Sequence, residues 1–410
     1  MDQRVSERDT APAKEILGFS ASAEEQKVAT FSGFGKHGVQ PVSDHDECAR
    51  SDFMMELYRH LGHNMAPGRK DIYEARVKPA FVKEHGRAPK DRHEVRKAVK
   101  DDPYFQFWGH LRVYCNQVLF YENGRTVDRQ LDDLIALAKP RTGAKGKLEL
   151  DPDFKIPKYQ APFDMHWMPG SYFTELAEDD VAAGAMYDSG GLYVMTSGHL
   201  GPYGDGGAYS VINYLRERFP DFAPTSILDQ GCTVGHNTLP FKEAWPDADV
   251  TGIDIGASVL RYAHARSEDM GYDVAYSQQN AEHTKFEDES FDFITSTMFL
   301  HETSYKAVHD IVREGFRLLK PGGLMLHVEQ PPFRWFDEPF DQFVRDWDTH
   351  NNNEPFWGPM HDMDLEEVAA LGGFARQNVV QEMAQLIKPT ETDRYAKADG
   401  QWYVFAAWKH

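Results

Sequence analysis

Cysteine is scarce in the 410-residue sequence: Cys48, Cys115 and Cys232 are its three copies, too few and too scattered for a disulfide framework or a thiolate metal site. Positive charge is also in deficit, with 44 Lys and Arg against 65 Asp and Glu, a formal net charge of −21. A field of that sign repels polyanions, which argues against DNA or RNA as the main substrate and favours a small molecule. Nowhere do about 18 apolar residues run together, and residues 1–13 carry charge without an apolar core. The expectations are therefore no membrane span, no export signal and a cytoplasmic location. What is present is core-forming material, 41% hydrophobic and 13% aromatic. Such a chain fits one large α/β domain with additions, or two domains sharing a cleft.

Residues 1 to about 42 are polar and lack a sustained period, which reads as a partly ordered arm. Ser43 or Asp44 caps a helix in which Phe53, Leu57 and Leu61 recur at spacing four, and Pro67-Gly68 is expected to stop it. Asp101-Asp102-Pro103 opens the strongest helix of this half. Its stripe of Tyr104, Phe107, Trp108, Leu111, Tyr114, Cys115 and Val118 reads as core packing, and Asn123-Gly124 reads as its end. A further helix carries Leu131, Leu134, Ile135 and Ala138 and stops at Pro140. The basic, Gly- and Pro-bearing segment 141–158 reads as an exposed connector. These features divide the chain into a mainly helical region 1–150, a cap 151–205, and a main domain 206–410 with a cap insertion at about 331–364.

The stretches 163–172 and 187–207 are dense in glycine and aromatics. Either they fold closely over a ligand or they form an irregular packed loop, and the residues leave both readings open. From residue 208 the rhythm becomes β/α. Strands are expected at 226–229, 249–254, 274–277, 291–296 and 324–328, with helices at 208–218, 237–245, 258–268 and 305–319 between them. A helix at 365–371 and strands at 374–383 and 402–409 close the chain. The pattern implies an α/β fold: a doubly wound, seven-stranded Rossmann-like sheet with an antiparallel terminal hairpin.

The chemistry begins at Ser226-Ile227-Leu228-Asp229-Gln230-Gly231-Cys232-Thr233-Val234-Gly235, a buried strand breaking into a tight glycine turn. The next strand ends on Asp254. Glycines let backbone approach a nucleoside, and the carboxylate can accept both ribose hydroxyls.

Over about residues 206–410 the chain resembles the class I S-adenosylmethionine-dependent methyltransferases of small-molecule type. The resemblance is carried by the 227–235 motif, Asp254, Asn280-Ala281-Glu282 after the third strand, Phe291-Asp292-Phe293-Ile294, Leu318-Leu319-Lys320-Pro321-Gly322-Gly323 and the terminal hairpin. Thr233 stands where many members have a central glycine, and Asn280 where many have an acid. The resemblance implies S-adenosyl-L-methionine as cofactor and S-adenosyl-L-homocysteine as product. Asp229, Gly231, Cys232, Thr233, Gly235, Asp254, Ile255, Asn280, Ala281, Glu282 and Thr297 would line the cofactor site.

Methyl transfer from a sulfonium is an in-line displacement, so the protein must align nucleophile and methyl carbon in a dry pocket. The acceptor is a small-molecule O, N or S nucleophile. At the end of the fourth strand, Thr297-Met298-Phe299-Leu300-His301-Glu302 resembles the place of the histidine base in one group of O-methyltransferases. His301 and Glu302 are the catalytic candidates; a structural histidine and a helix-capping acid are the competing readings. Tyr193, His199, Tyr203, Met298, Glu329, Trp335 and Trp357 are substrate-side candidates, with His166 and Trp167 closing the site from the other side. His361-Asp362-Met363-Asp364 reads as a solvent-facing loop, and no catalytic metal is expected. In small-molecule O-methyltransferases an appended helical region often dimerises, which makes a homodimer an expectation on architecture alone. The alternatives are a NAD-dependent oxidoreductase, for which no G-x-G-x-x-G follows the first strand, and a non-catalytic S-adenosylmethionine-binding module.

Overall fold

The computed structural model describes residues 35–410; most of the expected N-terminal arm lies outside the described residues. Eight strands form one sheet: β1 (Lys147–Glu149), β2 (Ser226–Gln230), β3 (Asp249–Asp254), β4 (Ala275–Gln278), β5 (Phe291–Thr297), β6 (Leu319–Glu329), β7 (Val379–Ile387) and β8 (Lys397–Trp408). Their order is β1-β4-β3-β2-β5-β6-β8-β7. Strands β1 to β6 run parallel, whereas β8 lies antiparallel to both β6 and β7. The expected seven strands become eight because Lys147–Glu149, placed in an exposed connector by its composition, pairs with Ala275–Ser277 at the sheet edge. A three-residue strand leaves too short a period to be read from sequence.

Alternation sorts the strand side chains into two layers. Ile227, Val250, Phe293 and Leu324 pack toward the helices Gly206–Arg218, Thr238–Ala244 and Ala257–Asp269. Leu228, Ile253, Ile294 and Met325 pack toward Tyr305–Leu318 and Leu365–Gly372. All eight are 3% exposed or less, and each such side chain contributes about 1.5–3 kcal/mol by leaving water. The order reverses between β2 and β5, so the chain leaves their carboxyl ends in opposite directions and opens a crevice there.

The N-terminal helices depart from expectation at their ends. His45–His60 starts as expected, with Asp44 and Glu47 forming a reciprocal capping box. Pro67-Gly68 does not stop the helical path. A wide turn, closed by Ala66 N–H donating to Leu61 O at 2.9 Å, precedes Pro67, and helical segments continue to His85, where Gly86 takes φ 71°. Nor does Asn123-Gly124 end its helix, which runs Pro103–Asp128. Gly124 allows close approach to Met186 instead. Of the aromatic stripe, Trp108, Leu111, Cys115 and Val118 pack in the core, while Phe107 and Tyr114 stay exposed. Trp108 meets Trp347 edge-on at 5.2 Å, and Phe105 packs with Phe340 and Phe343. The N-terminal helices thus pack against the helices Pro339–Arg345 and Trp347–Asn351. The last strand pair is shifted from expectation: Phe374 is buried just after the Gly373 turn, β7 begins later, at Val379, and β8 begins earlier, at Lys397. Among the described residues no helix is long and apolar enough to cross a membrane.

Candidate active site

A cavity of about 450 Å³ opens at the carboxyl ends of β2, β3 and β5. Its cofactor-side wall begins with the glycine turn. Gly231 has φ 68°, and any Cβ there would strike the Phe299 ring. Thr233 also takes a left-handed φ, 45°, which costs a side-chain-bearing residue about 1–2 kcal/mol. Asp254 holds this shape: one carboxylate oxygen accepts from Thr233 N at 3.1 Å and the other from Gly256 N at 2.9 Å. Burial lifts the Asp254 pKa to about 6 despite those two donors. Ile255, Asn280, Ala281, Thr297 and Met298 line the same side. Thr297 Oγ1 is buried there without a partner.

Four cofactor-side candidates lie behind the lining. Asp229 is 2% exposed and accepts from Thr238 Oγ1 at 2.6 Å, which ties it to the following helix. Burial raises its pKa to about 7, and the charge of Asp254 adds to that. Cys232 is buried against Gly252, and Gly235 packs on the Tyr276 hydroxyl. Glu282 accepts from Tyr159 Oη at 3.0 Å and from Asn280 Nδ2 at 3.1 Å, bracing the loop after β4.

The opposite wall brings distant segments together. His301 lines the cavity, and its Nδ1 lies 2.5 Å from Glu329 Oε2. The other Glu329 oxygen accepts from the backbone of Phe299 at 3.0 Å and Leu300 at 2.6 Å. Burial alone would lower the His301 pKa; the Glu329 charge and bond, with Glu354 and Glu302, reverse this and raise it to about 9. Glu329, expected on the substrate, is fully buried behind His301 and is spent on orienting it. The Trp357 ring packs edge-on against His301 at 4.5 Å.

His166 sits beside this pair, in left-handed backbone with φ 56°. Its Nε2 is 2.9 Å from Glu302 Oε1 and its Nδ1 2.8 Å from Glu354 Oε1. Tyr172 Oη donates to Glu302 Oε1 at 3.1 Å, and Gln160 Nε2 to Glu302 O at 2.5 Å. Burial opposes charge on His166, but Glu354 and Glu302 hold its pKa well above the usual imidazole range. Glu354, Tyr172, Tyr187, His236, Asp348 and Arg112 all line the cavity; the aromatic density of 163–172 and 187–207 pointed toward Tyr172 and Tyr187, and the other four carry no local sequence signal. Asp188, fully buried, ties His236 of the glycine loop to His37 and Tyr262 at 2.6–2.7 Å.

His199 and Trp357 line the cavity as expected substrate-side residues, but Tyr193, Tyr203 and Trp335 do not. Tyr193 packs with the N-terminal helices. Tyr203 lies against Gly35. Trp335 is 41% exposed and stands edge-on to Tyr403. Trp167 is outside the lining too, donating its Nε1–H to Asn351 O at 2.9 Å. His361, read as solvent-facing, is 2% exposed, with Nδ1 2.7 Å from Trp357 O; burial lowers its pKa to about 4.

Residues 227–323 match the family described as "Methyltransferase domain". A demethylmenaquinone methyltransferase of Lactococcus lactis is 31% identical over 37% of this chain and 58% of its own length. A ubiquinone biosynthesis O-methyltransferase of Serratia proteamaculans is 33% identical over 27% of this chain and 45% of its own. The chain thus spans about half the length of the curated relatives it matches. Among solved structures, a SAM-dependent methyltransferase from Methanosarcina mazei overlaps 48% of this chain and 96% of its own at 24% identity and a TM-score of 0.35. The matched family and relatives are methyltransferases, which leaves the nicotinamide alternative without support. Over residues 227–323 the chain is therefore similar to methyltransferase domains.

Proposed function

We propose that the protein transfers a methyl group from S-adenosylmethionine to an ionisable oxygen of a small, largely apolar molecule. The observation that carries this reading is the facing of two built elements across one cavity: the Asp254-braced glycine turn and the His301–Glu329 pair. The cofactor residues fit the group. Asp254 would hold the ribose hydroxyls, Asn280 and Ala281 the adenine, and the backbone at Gly231 and Thr233 the methionine tail. Thr297 Oγ1, buried and unpartnered, supplies a spare polar atom beside them. When bound, the cofactor supplies an electrophilic methyl group on a positively charged sulfur.

This chain's own residues then position the acceptor. Held at about 9, His301 carries a proton at neutral pH. With Nδ1 committed to Glu329, its Nε2 is the nitrogen left to donate to an acceptor oxygen, which favours that oxygen in its ionised, nucleophilic form. Met298, Phe299 and Trp357 supply the apolar wall that excludes water. One relative is named as a demethylmenaquinone methyltransferase and another for ubiquinone biosynthesis, and a phenolic ring suits both the apolar wall and the imidazolium. Labelled-cofactor assays over a panel of phenols, amines and thiols test the reading. Transfer to phenols is expected, and binding of S-adenosylhomocysteine without transfer to any of them would reduce the protein to a binding module.

The reading takes 206–410 as the catalytic domain, with 1–150, 151–205 and the 331–364 insertion as its cover. It includes a homodimer, for which Phe107, Tyr114 and Tyr121 are suited. They are 59%, 48% and 61% exposed, at heptad spacing along one helix face. Light scattering of wild type against Tyr114→Glu checks the mass.

A further inference from the structure

Three acid–base side chains beside the His301–Glu329 pair, His166, Glu302 and Glu354, converge on the cavity wall from three separate segments. Their ligand atoms lie within 4.8 Å of one another. Metal–ligand bonds of about 2.0–2.2 Å span up to about 4.4 Å across one ion, so small carboxylate rotations close the set. His166 and Glu302 are 12% and 15% exposed at the side chain, and Glu354 is 2%. Glu354 Oε2 is moreover buried with no hydrogen-bond partner. A carboxylate oxygen in that state is costly to leave unpaired, and one that lines a cavity is paired most directly by a cation.

The surroundings fix this arrangement from behind. Asn352 Nδ2 lies 3.0 Å from His166 Nδ1, and Asn352 is in turn held by Asn116, which accepts from Tyr58. Tyr172 and Gln160 restrain Glu302 from the other side. Asp348 and Arg112 also line this part of the cavity. Outer partners of this kind orient ligands and commonly account for 10–100-fold of metal affinity.

We propose that His166, Glu302 and Glu354 bind a first-row divalent metal ion inside the cavity, independently of the methyl donor. One imidazole with two carboxylates selects Mn²⁺, Fe²⁺ or Zn²⁺ over the all-oxygen preference of Mg²⁺ and Ca²⁺. Three protein ligands leave coordination positions that face the cavity, where an oxygen of a bound small molecule can complete the shell.

Mn²⁺ is the probe. Full-length protein is stripped with EDTA, desalted and titrated with Mn²⁺ while the free ion is read by its EPR signal. One Mn²⁺ per chain is expected, displaced by Zn²⁺, with nitrogen modulation from one imidazole in the pulsed EPR spectrum. Glu354→Gln and His166→Gln are each expected to weaken binding at least ~10-fold, and the His166 variant to lose the nitrogen modulation. S-adenosylhomocysteine binding, followed in parallel, is expected to persist in both. Mn²⁺ that stays free at stoichiometric concentration, bound Mn²⁺ without nitrogen modulation, or wild-type affinity in both variants would each overturn the site. The wild-type spectrum decides even where a variant does not fold. Metal binding by a protein that fails to bind S-adenosylhomocysteine would retain the site and remove the methyltransferase reading instead.

Discussion

The two walls of the cavity are built in different ways. The cofactor-side wall comes from short segments at successive strand ends, 231–233, 254–255 and 280–281, each fixed by bonds to close neighbours. The facing wall joins His166, His301, Glu302, Glu329 and Glu354 through contacts spanning up to 188 positions. The first is a local device whose parts are visible wherever the strand–turn–helix pattern is. In the second, each side chain gains its meaning from partners that only the fold supplies. One wall is therefore expected to govern cofactor affinity and the other turnover.

His301→Ala breaks that division most severely. Loss of the imidazole is expected to lower kcat by about 10²–10⁴-fold while the affinity for S-adenosylhomocysteine stays within about twofold; a parallel loss of affinity would mean the walls are not separable. Glu329→Gln is expected to lie between wild type and His301→Ala. Asp254→Ala works on the other side. It removes the proposed ribose acceptor and leaves Thr233 N and Gly256 N without their partner. Isothermal titration should show S-adenosylhomocysteine binding weakened by about 100-fold, equivalent to about 3 kcal/mol.

A pH measurement sharpens the contrast between ligand contact and support. Burial raises the Asp229 pKa from 3.8 to about 7, so the folded chain keeps a proton that the unfolded chain releases between about pH 4 and 7. Stability from this group therefore falls as pH rises through that window. Asp229→Asn is expected to flatten the wild-type slope of Tm against pH from 4 to 7, an effect that calorimetry at several pH values resolves.

Thr233→Gly is smaller again. Relief of the left-handed strain, about 1–2 kcal/mol, is offset by about 0.5–1 kcal/mol of added backbone entropy. A net gain of roughly 0.5–1 kcal/mol follows, read by urea denaturation. Trp335→Ala is expected to leave KM and kcat unchanged, since the ring stands outside the cavity; a tenfold rise in KM would place it on the substrate after all.

Legibility followed the range of the interactions. Strands β2 to β5 lie within a residue of where hydrophobic patterning placed them, and Gly231, Thr233, Asp254, Ile255, Asn280, Ala281 and Thr297 all reach the cavity. Strand β1 was not legible, because three residues in a basic, glycine-bearing stretch acquire strand geometry only by pairing with β4. Pro67-Gly68 and Asn123-Gly124 misled for the opposite reason. Local breaker chemistry was overridden by a wide turn in one case and by packing on Met186 in the other.

Charged and aromatic side chains show the same limit. Nothing in the sequence distinguishes Glu329, locked behind His301, from a carboxylate that faces a ligand, or Trp335 on the surface from Trp357 on the cavity wall. By itself the sequence determined the alternating strand–helix order, the glycine turn and the acid that braces it, because those depend on backbone geometry and on residues close in the chain. Tertiary structure alone decided which acids are buried, which histidine ring nitrogen is occupied, and that His166, Glu302 and Glu354 meet. Burial and charge pairing depend on what packs across the cavity, and that packing is set by segments more than a hundred residues apart.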